Sequence, residues 1–434
     1  MWNTILFAIC CSVALLNAAD LYPPNQANAA NWNPKIEVLS DRGTALLEQL
    51  FADFTNIDIQ IVSSPTDIWT ESPIYVDSLN SIIFSAPGGD GKLYRYDLDA
   101  EETSIFIESA GVFGGTYDGA IPFAECKECG PNGMTIGLQG YEDYVIMNQL
   151  ALARVIAFDP SSVDANNVIV IADNYNGTIL NSPNDITLSP DKDALYFTDP
   201  IFGLQRDGDS SLVETFARSA LGFQGVYRVD YQDVVDGITE PVLITDGMDG
   251  PNGLAVTNDN EYLIVSNTAE MSGELVPFWN VYAIQSDYAL QTSIEFASYN
   301  LSFNATNAVP IPLCDGMEVF NDEILLAACP NGLCVIDLTN LELVGRLTLN
   351  QLISNLYIVD DLVYVTSAGN VFTIQLTGSA VDIYEPSSTV DFDEPTSTEA
   401  AGSTATTEDD DQPDSACTII AYVAFVAAAC NFMA

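Results

Sequence analysis

A short pattern recurs along this chain and limits the folds open to it more than any single residue does. Its clearest copy is Ser182 to Gly203, SPNDITLSPDKDALYFTDPIFG. Ser182-Pro183-Asn184-Asp185 cannot continue a helix, because proline lacks the N–H donor and restricts the residue before it. Ile186 and Leu188 alternate with Thr187 and Ser189, and Pro190-Asp191-Lys192-Asp193 makes a hairpin turn. Leu195-Tyr196-Phe197-Thr198 is a run of strand formers that stops at Asp199-Pro200. The same grammar returns at Gly250-Pro251-Asn252-Gly253-Leu254-Ala255-Val256, a turn at Asn258-Asp259-Asn260, and Tyr262-Leu263-Ile264-Val265-Ser266-Asn267-Thr268.

Other copies follow once the anchor is recognised. Thr70-Glu71-Ser72-Pro73 opens the first, Gly130-Pro131-Asn132-Gly133 the second and Cys314-Asp315-Gly316-Met317 the fifth, while a degenerate sixth begins near Asn355. The anchors recur at intervals of roughly 40–70 residues, the size of a propeller blade with its loops. Six units predict an all-β, six-bladed β-propeller over residues 61–384. A two-sheet sandwich would not explain why one anchor opens every unit. Residues 20–60 read as a short N-terminal extension, in which Gly43 to Phe51 has helical periodicity.

Both ends read as addresses. Residues 1–19 carry the apolar run Ile5 to Leu16 and the small pair Ala18-Ala19, a signal peptide pattern. Residues 385–416 are rich in Ser, Thr, Pro, Asp and Glu and predict a disordered stalk. Residues 417–434 form a hydrophobic tail with no basic residue after it, which favours a GPI signal over a transmembrane anchor. The expected product is a secreted glycoprotein held at the cell surface, touching membrane only through its C-terminal anchor. Asn176, Asn300 and Asn304 stand in glycosylation motifs. Cys126-Lys127-Glu128-Cys129 predicts a local disulfide. With Cys314, Cys329 and Cys334 it makes an odd set of five outside the terminal signals.

Composition narrows the chemistry. The chain has 61 acidic and 11 basic residues, a formal charge of −50, which argues against nucleic acid as a partner. It has no histidine, which removes Ser-His-Asp and Cys-His catalysis and His-based zinc sites. In a propeller the first strand of each blade lines the channel, so the anchors Glu71, Asn132, Asn184, Asn252 and Asp315 converge. Two carboxylates and several amide oxygens suit a hard cation, Ca²⁺ first and Mg²⁺ or Mn²⁺ as alternatives.

These residues resemble the calcium-dependent lactonases of the gluconolactonase, or senescence-marker-protein, superfamily. SPNDITL…LYFTDPIFG, PNGLAVTNDNEYLIVSNT and CDGMEV carry the resemblance, which spans roughly Thr70 to Ile374. It implies a hydrolase that opens a lactone or small ester. Glu71, Asn184, Asn252 and Asp315 would bind metal, Asp315 would transfer the proton, and Asn132 and Asn184 would meet substrate. Three positions depart from the family pattern: Ser72 where glycine is usual, Asn267 where aspartate is common, and Asn181-Ser182 where some sugar lactonases carry arginine. A non-catalytic surface propeller, with a structural calcium and a partner on its acidic face, is the alternative reading.

Overall fold

The computed structural model describes residues 34–377, apart from 66–68, 89–90, 118–124, 207, 210, 269–277, 285–292, 296–314, 330–331 and 350. All described residues belong to one compact unit, Met1–Tyr384. The leader, stalk and tail, Asn300, Asn304 and Cys314 lie outside the described residues. Asn176 is exposed in a turn, with φ of 51°.

The described residues begin with β1 (Lys35–Val38), helix α1 (Asp41–Leu50) and β2 (Ile59–Ser63). Blade 1 is β3 (Glu71–Val76), β4 (Ser81–Ala86), β5 (Lys92–Asp97) and β6 (Glu102–Ile107). Blade 2 is β7 (Pro131–Leu138), β8 (Tyr141–Gln149), β9 (Arg154–Phe158) and β10 (Ile169–Ala172). A small ribbon follows, β11 (Asn174–Tyr175) and β12 (Thr178–Ile179). Blade 3 contains β13 (Ile186–Leu188), β14 (Ala194–Asp199), β15 (Gly225–Asp230) and β16 (Val242–Thr245). Blade 4 contains β17 (Pro251–Val256), β18 (Tyr262–Asn267), β19 (Phe278–Ala283) and β20 (Ser293–Glu295). Blade 5 has β21 (Met317–Asn321), β22 (Ile324–Cys329), β23 (Gly332–Asp337) and β24 (Glu342–Thr348). Blade 6 has β25 (Ile353–Val359), β26 (Leu362–Ser367) and β27 (Val371–Gln375). Every pairing is antiparallel, so the predicted six-bladed β-propeller is the fold.

Each blade is a sheet sandwiched between two others, so its middle strands bury both faces. All six residues of β4 and all six of β14 are buried, which is why SIIFSA and ALYFTD alternate poorly in polarity. The core is accordingly a ring of blade interfaces. Phe84 and Tyr94 meet Tyr364 between blades 1 and 6, and Phe197 and Tyr227 meet Val155 and Ile171 between blades 3 and 2.

The N-terminal stretch is woven into the propeller. β2 pairs with β27 as the fourth strand of blade 6, and β1 pairs with β24 as a fifth strand of blade 5. Unpaired strand edges carry a row of free N–H and C=O groups, and the early residues cover two of them. Closing the ring with strands from both chain ends also resists opening. Helix α1 forms where periodicity places it. Ser40 caps it by accepting from the Gly43 N–H at 3.0 Å, and Leu46, Leu47 and Leu50 bury against blades 5 and 6. Two further helices, α2 (Leu212–Phe216) and α3 (Tyr231–Asp236), were not legible in the sequence. At five and six residues they are too short to display an apolar stripe. Cys126 pairs with Cys129 as expected, and a second disulfide joins Cys329 to Cys334 across the hairpin of β22 and β23.

Candidate active site

The anchors sit where the inner strands begin, and their backbones are fixed by a relay between blades. A polar residue near the end of one blade's second strand bonds a carbonyl in or next to the following anchor. Ser85 Oγ donates to Asn132 O at 2.9 Å, Asn148 Nδ2 to Asp185 O at 3.1 Å and Thr198 Oγ1 to Asn252 O at 2.8 Å. Ser266 Oγ then donates to Asp315 O at 3.2 Å, while in blade 6 Ser354, on the inner strand itself, reaches Thr70 O at 2.6 Å. In blade 5 the equivalent residue is Ala328, and the Gly316 N–H makes the link to Ser354 O at 2.8 Å instead. Misplacing one anchor therefore disturbs its neighbours.

Close approach dictates the glycine that follows several anchors. A Cβ on Gly253 would lie 2.1 Å from Asp315 O, and one on Gly133 would lie 2.5 Å from Asn184 O. Gly253→Ala is expected to cost about 1–3 kcal/mol by overpacking and to lower kcat/KM more than its melting shift suggests, because it pushes on Asp315. Thermal melts paired with initial rates check this, and an alanine variant with wild-type values of both would contradict the packing. Ser72 occupies the same place in blade 1 with φ of 43°. The departure from glycine is accommodated because its hydroxyl accepts from the Met134 N–H at 2.6 Å, offsetting the strain of a left-handed backbone.

Glu71, Asn132, Asn184, Asn252 and Asp315 are all buried. Glu71 and Asp315 lie close enough that their charges repel. Burial first and then the Asp315 charge push the Glu71 carboxyl well above its ordinary range, while the Trp69 indole, donating to Oε1 at 2.8 Å, opposes the rise. Asp315 is raised by burial and by the charges of Asp185 and Glu128. A hydrogen bond from the Asn252 side chain and one from the Gly316 N–H pull it back. Two of the four expected ligands are thus in direct contact, and a third is electrostatically coupled to them. Asn184 and Asn132 hold the corresponding anchor places in blades 3 and 2.

The site contains acidic and amide groups that the anchor pattern did not single out. Asp185 follows Asn184, where the second, fourth and fifth units have glycine, and burial raises its carboxyl to about 7. Asn355 Nδ2 approaches Asp185 Oδ1 at 3.4 Å, joining blade 6 to blade 3 across the channel. Glu318, on β21, is raised to about 8 by burial and then by Asp185. A cavity of about 60 Å³ is lined by Ser72, Asp185, Met317, Glu318 and Asn355, among others. The non-glycine residue after the third anchor was the available signal for Asp185, and Asn355 was legible as the opening of the degenerate sixth unit. Glu318 stands in the CDGMEV motif, but nothing in the sequence gave it a part in the site.

Asp199 and Asn267 end the second strands of blades 3 and 4 and hold the loops entering their anchors. Asp199 accepts from the Asn181 N–H at 2.9 Å and the Ser182 N–H at 2.7 Å. Asn267 Oδ1 accepts from the Gly250 N–H at 3.0 Å. A neutral amide suffices there, which explains how the fourth unit dispenses with aspartate.

Among the described residues no Lys or Arg pairs with Glu71 or Asp315, and no three His, Cys, Asp or Glu side chains form a metal cluster. Two buried carboxylates without a counter-charge are costly to ionise. Their carboxylate oxygens, with the amide oxygens of the neighbouring anchors to complete the donor set, fit a hard divalent cation.

Fold and site together define a six-bladed propeller whose inner strands open on buried acidic and amide side chains. The sequence profile of the SMP-30/gluconolactonase/LRE-like region matches residues 69–369, and the chain belongs to that family. A gluconolactonase of Zymomonas mobilis is 29% identical over 301 residues, covering 69% of this chain and 74% of that protein. A gluconolactonase structure from Xanthomonas campestris superposes with a TM-score of 0.57 at 20% identity, covering 79% of this chain and 95% of that one. A luciferin-regenerating enzyme superposes at 0.52 with 12% identity, covering 75% and 97%. Likeness at these structural identities concerns the fold.

Proposed function

We propose that this protein is a divalent-cation-dependent hydrolase that opens a lactone ring, with calcium the preferred ion. The observation that carries the reading is the buried pair Glu71 and Asp315, unpaired with any described cation, beside Asn252 at the channel mouth. Family membership and the gluconolactonase relative support the choice of reaction. Glu71, Asn184, Asn252 and Asp315 would hold the ion. When bound, the ion supplies Lewis acidity toward the ester carbonyl and counter-charge for its oxygen.

The chain's own residues do the rest. Asp315 accepts the proton of the attacking water. The Asn252 side chain and the Gly316 N–H keep that carboxylate oriented. Asn184 and Asn132 hold the ring oxygens of the substrate. Trp69 orients Glu71 by donating its indole N–H to Oε1.

Hydrolysis of a small lactone panel, with calcium and after EDTA treatment, tests the reading. Turnover of at least one lactone is expected, falling at least about 100-fold in EDTA and returning with calcium. Tight calcium binding with no turnover on any member would instead support a structural ion in a partner-binding propeller.

A further inference from the structure

The anchors occupy one end of the inner strands, and the turns between first and second strands gather at the other. Several of those turns are acidic: Asp77 to Asn80 after β3, Pro190 to Asp193 after β13, and Asp360-Asp361 after β25. Equivalent positions in a closed ring converge, so these turns converge as the anchors do. Between them lies a cavity of about 690 Å³, lined by Tyr75, Tyr357, Tyr364, Glu318, Asp360 and Asp361, among others. The smaller cavity within the channel shares Glu318, Val319 and Tyr357 with it, so the two adjoin.

Packing between blades fixes the walls. Tyr357 and Tyr364 stand directly opposite each other in the pairing of β25 with β26, which puts both on one face of blade 6. Tyr364 is buried, and Tyr75 of blade 1 packs against the same cluster. The Tyr75 hydroxyl lies 3.3 Å from Asp77 Oδ1 and 3.3 Å from Asn80 Oδ1. Glu318 is half-buried, and among the described residues its carboxylate makes no hydrogen bond. Lys192 is the one cation among the lining residues. Burial lowers its proton affinity and the charge of Glu142 opposes this. Glu318, Asp360 and Asp361 are left with no further counter-charge in the lining.

Size and lining select the class of ligand. Among the described residues no three acidic side chains converge closely enough to hold a metal ion. A hard ion such as calcium takes roughly six to eight oxygens at about 2.3–2.6 Å, which carboxylates spread over separate turns do not supply. Aromatic walls and spaced carboxylates suit a cation with a carbon frame, its ammonium groups set against rings and acids in turn. The volume falls within the range of roughly 300–1,000 Å³ common to small-molecule sites.

We propose that the end of the channel opposite the anchors is a binding site for a small organic amine carrying two or more positive charges. Tyr75, Tyr357 and Tyr364 form its aromatic wall, and Glu318, Asp360 and Asp361 meet the ammonium groups. None of these residues is an anchor, so the site is independent of the lactone-opening reading.

The test is calorimetric titration of spermidine into the full chain in calcium, at about 0.15 M NaCl, where exposed charges more than about 8 Å apart are largely screened. One saturable site per chain is expected. Asp360→Asn/Asp361→Asn should raise its Kd at least about tenfold, since two charge-assisted contacts become neutral ones. The fold should tolerate this pair, because both side chains are exposed and asparagine accepts the left-handed backbone of Asp360, with φ of 55°. Glu48→Gln/Glu108→Gln removes the same charge from exposed positions outside the cavity and should change Kd less than about twofold. Tyr357→Leu should raise Kd about three- to tenfold by losing an aromatic face, while Tyr357→Phe keeps the wild-type value. Mg²⁺ at equal charge concentration should not displace the amine. Absence of a saturable site, equal losses in the two double variants, an unchanged Kd in Tyr357→Leu, or displacement by Mg²⁺ would each overturn the assignment. Lactone turnover plays no part in the readout, so this proposal and the hydrolase reading fail separately.

Discussion

Asp315→Asn is expected to lower kcat about 10³-fold while the propeller stays folded, the usual scale for losing a positioned base. Asparagine keeps the shape and one acceptor oxygen but cannot take a proton. The stability signature is as telling as the rate. Asp315 faces the charges of Glu71, Asp185 and Glu128, so removing its charge relieves repulsion in the cation-free protein. Melted in EDTA, Asp315→Asn should be at least as stable as the wild type. In calcium it should gain less than the wild type, because the ion has lost one of its two carboxylates. Full activity in this variant would remove Asp315 from the reaction. A large drop in the EDTA melting temperature would mean that Asp315 is chiefly structural.

A second large effect is an inverted dependence of stability on pH in the cation-free protein. Most proteins gain stability as buried carboxylates lose their protons, because those groups are paired. Here Asp199, fully buried, is raised to about 7, and Asp185 also to about 7. Burial is the first cause in both, with hydrogen bonds to backbone N–H groups opposing it. A carboxyl whose folded pKa exceeds its unfolded value holds more protons when folded, so unfolding becomes easier as pH rises. The window runs from the ordinary carboxylate range near 4 up to about 7, and each such group costs on the order of 1.4 kcal/mol per pH unit there. Melting in EDTA should therefore fall between pH 5 and pH 7.5. Calcium should remove the part of the fall that belongs to Glu71 and Asp315. Asp199→Asn should remove another part of the pH dependence, at the cost of one hydrogen bond, since its single amide oxygen can accept from only one of the Asn181 and Ser182 N–H groups. A melting temperature in EDTA that rises over this range would show that these carboxyls ionise at ordinary pH.

Much of the fold was legible because a propeller repeats. One anchor followed by alternating strands can be recognised from Asn184 and then found at Asn252, Asn132 and Asp315, since each copy solves the same packing problem. The boundaries were less legible. Ile59 to Ser63 looks like any short apolar segment, and its pairing with β27 is a contact between residues more than 300 positions apart. No local pattern announces such a partner. The short helices α2 and α3 were invisible for the opposite reason, being too local to have a period.

The site divides in the same way. Residue type and register in the repeat were enough to gather Glu71, Asn132, Asn184, Asn252 and Asp315 as candidates, because equivalent positions in a closed ring must face one axis. Absence of histidine removes imidazole chemistry and leaves the anchors' carboxylate and amide oxygens as the donors the repeat offers. Ser72 and Asn267 looked like departures, and only their hydrogen bonds to Met134 and Gly250 explain how the backbone tolerates them.

The chain's own pattern thus determined that there would be six blades, a polar axis and an anchor ring opened by Glu71 and closed by Asp315. Tertiary structure alone decided which other groups reach that ring. Asp185 and Glu318 come to share the channel, and Asn355, legible only as the opening of a degenerate unit, meets Asp185 from the opposite blade. The physical reason is that burial and charge at the axis depend on distances between blades, which the repeat makes equal in kind but does not encode residue by residue.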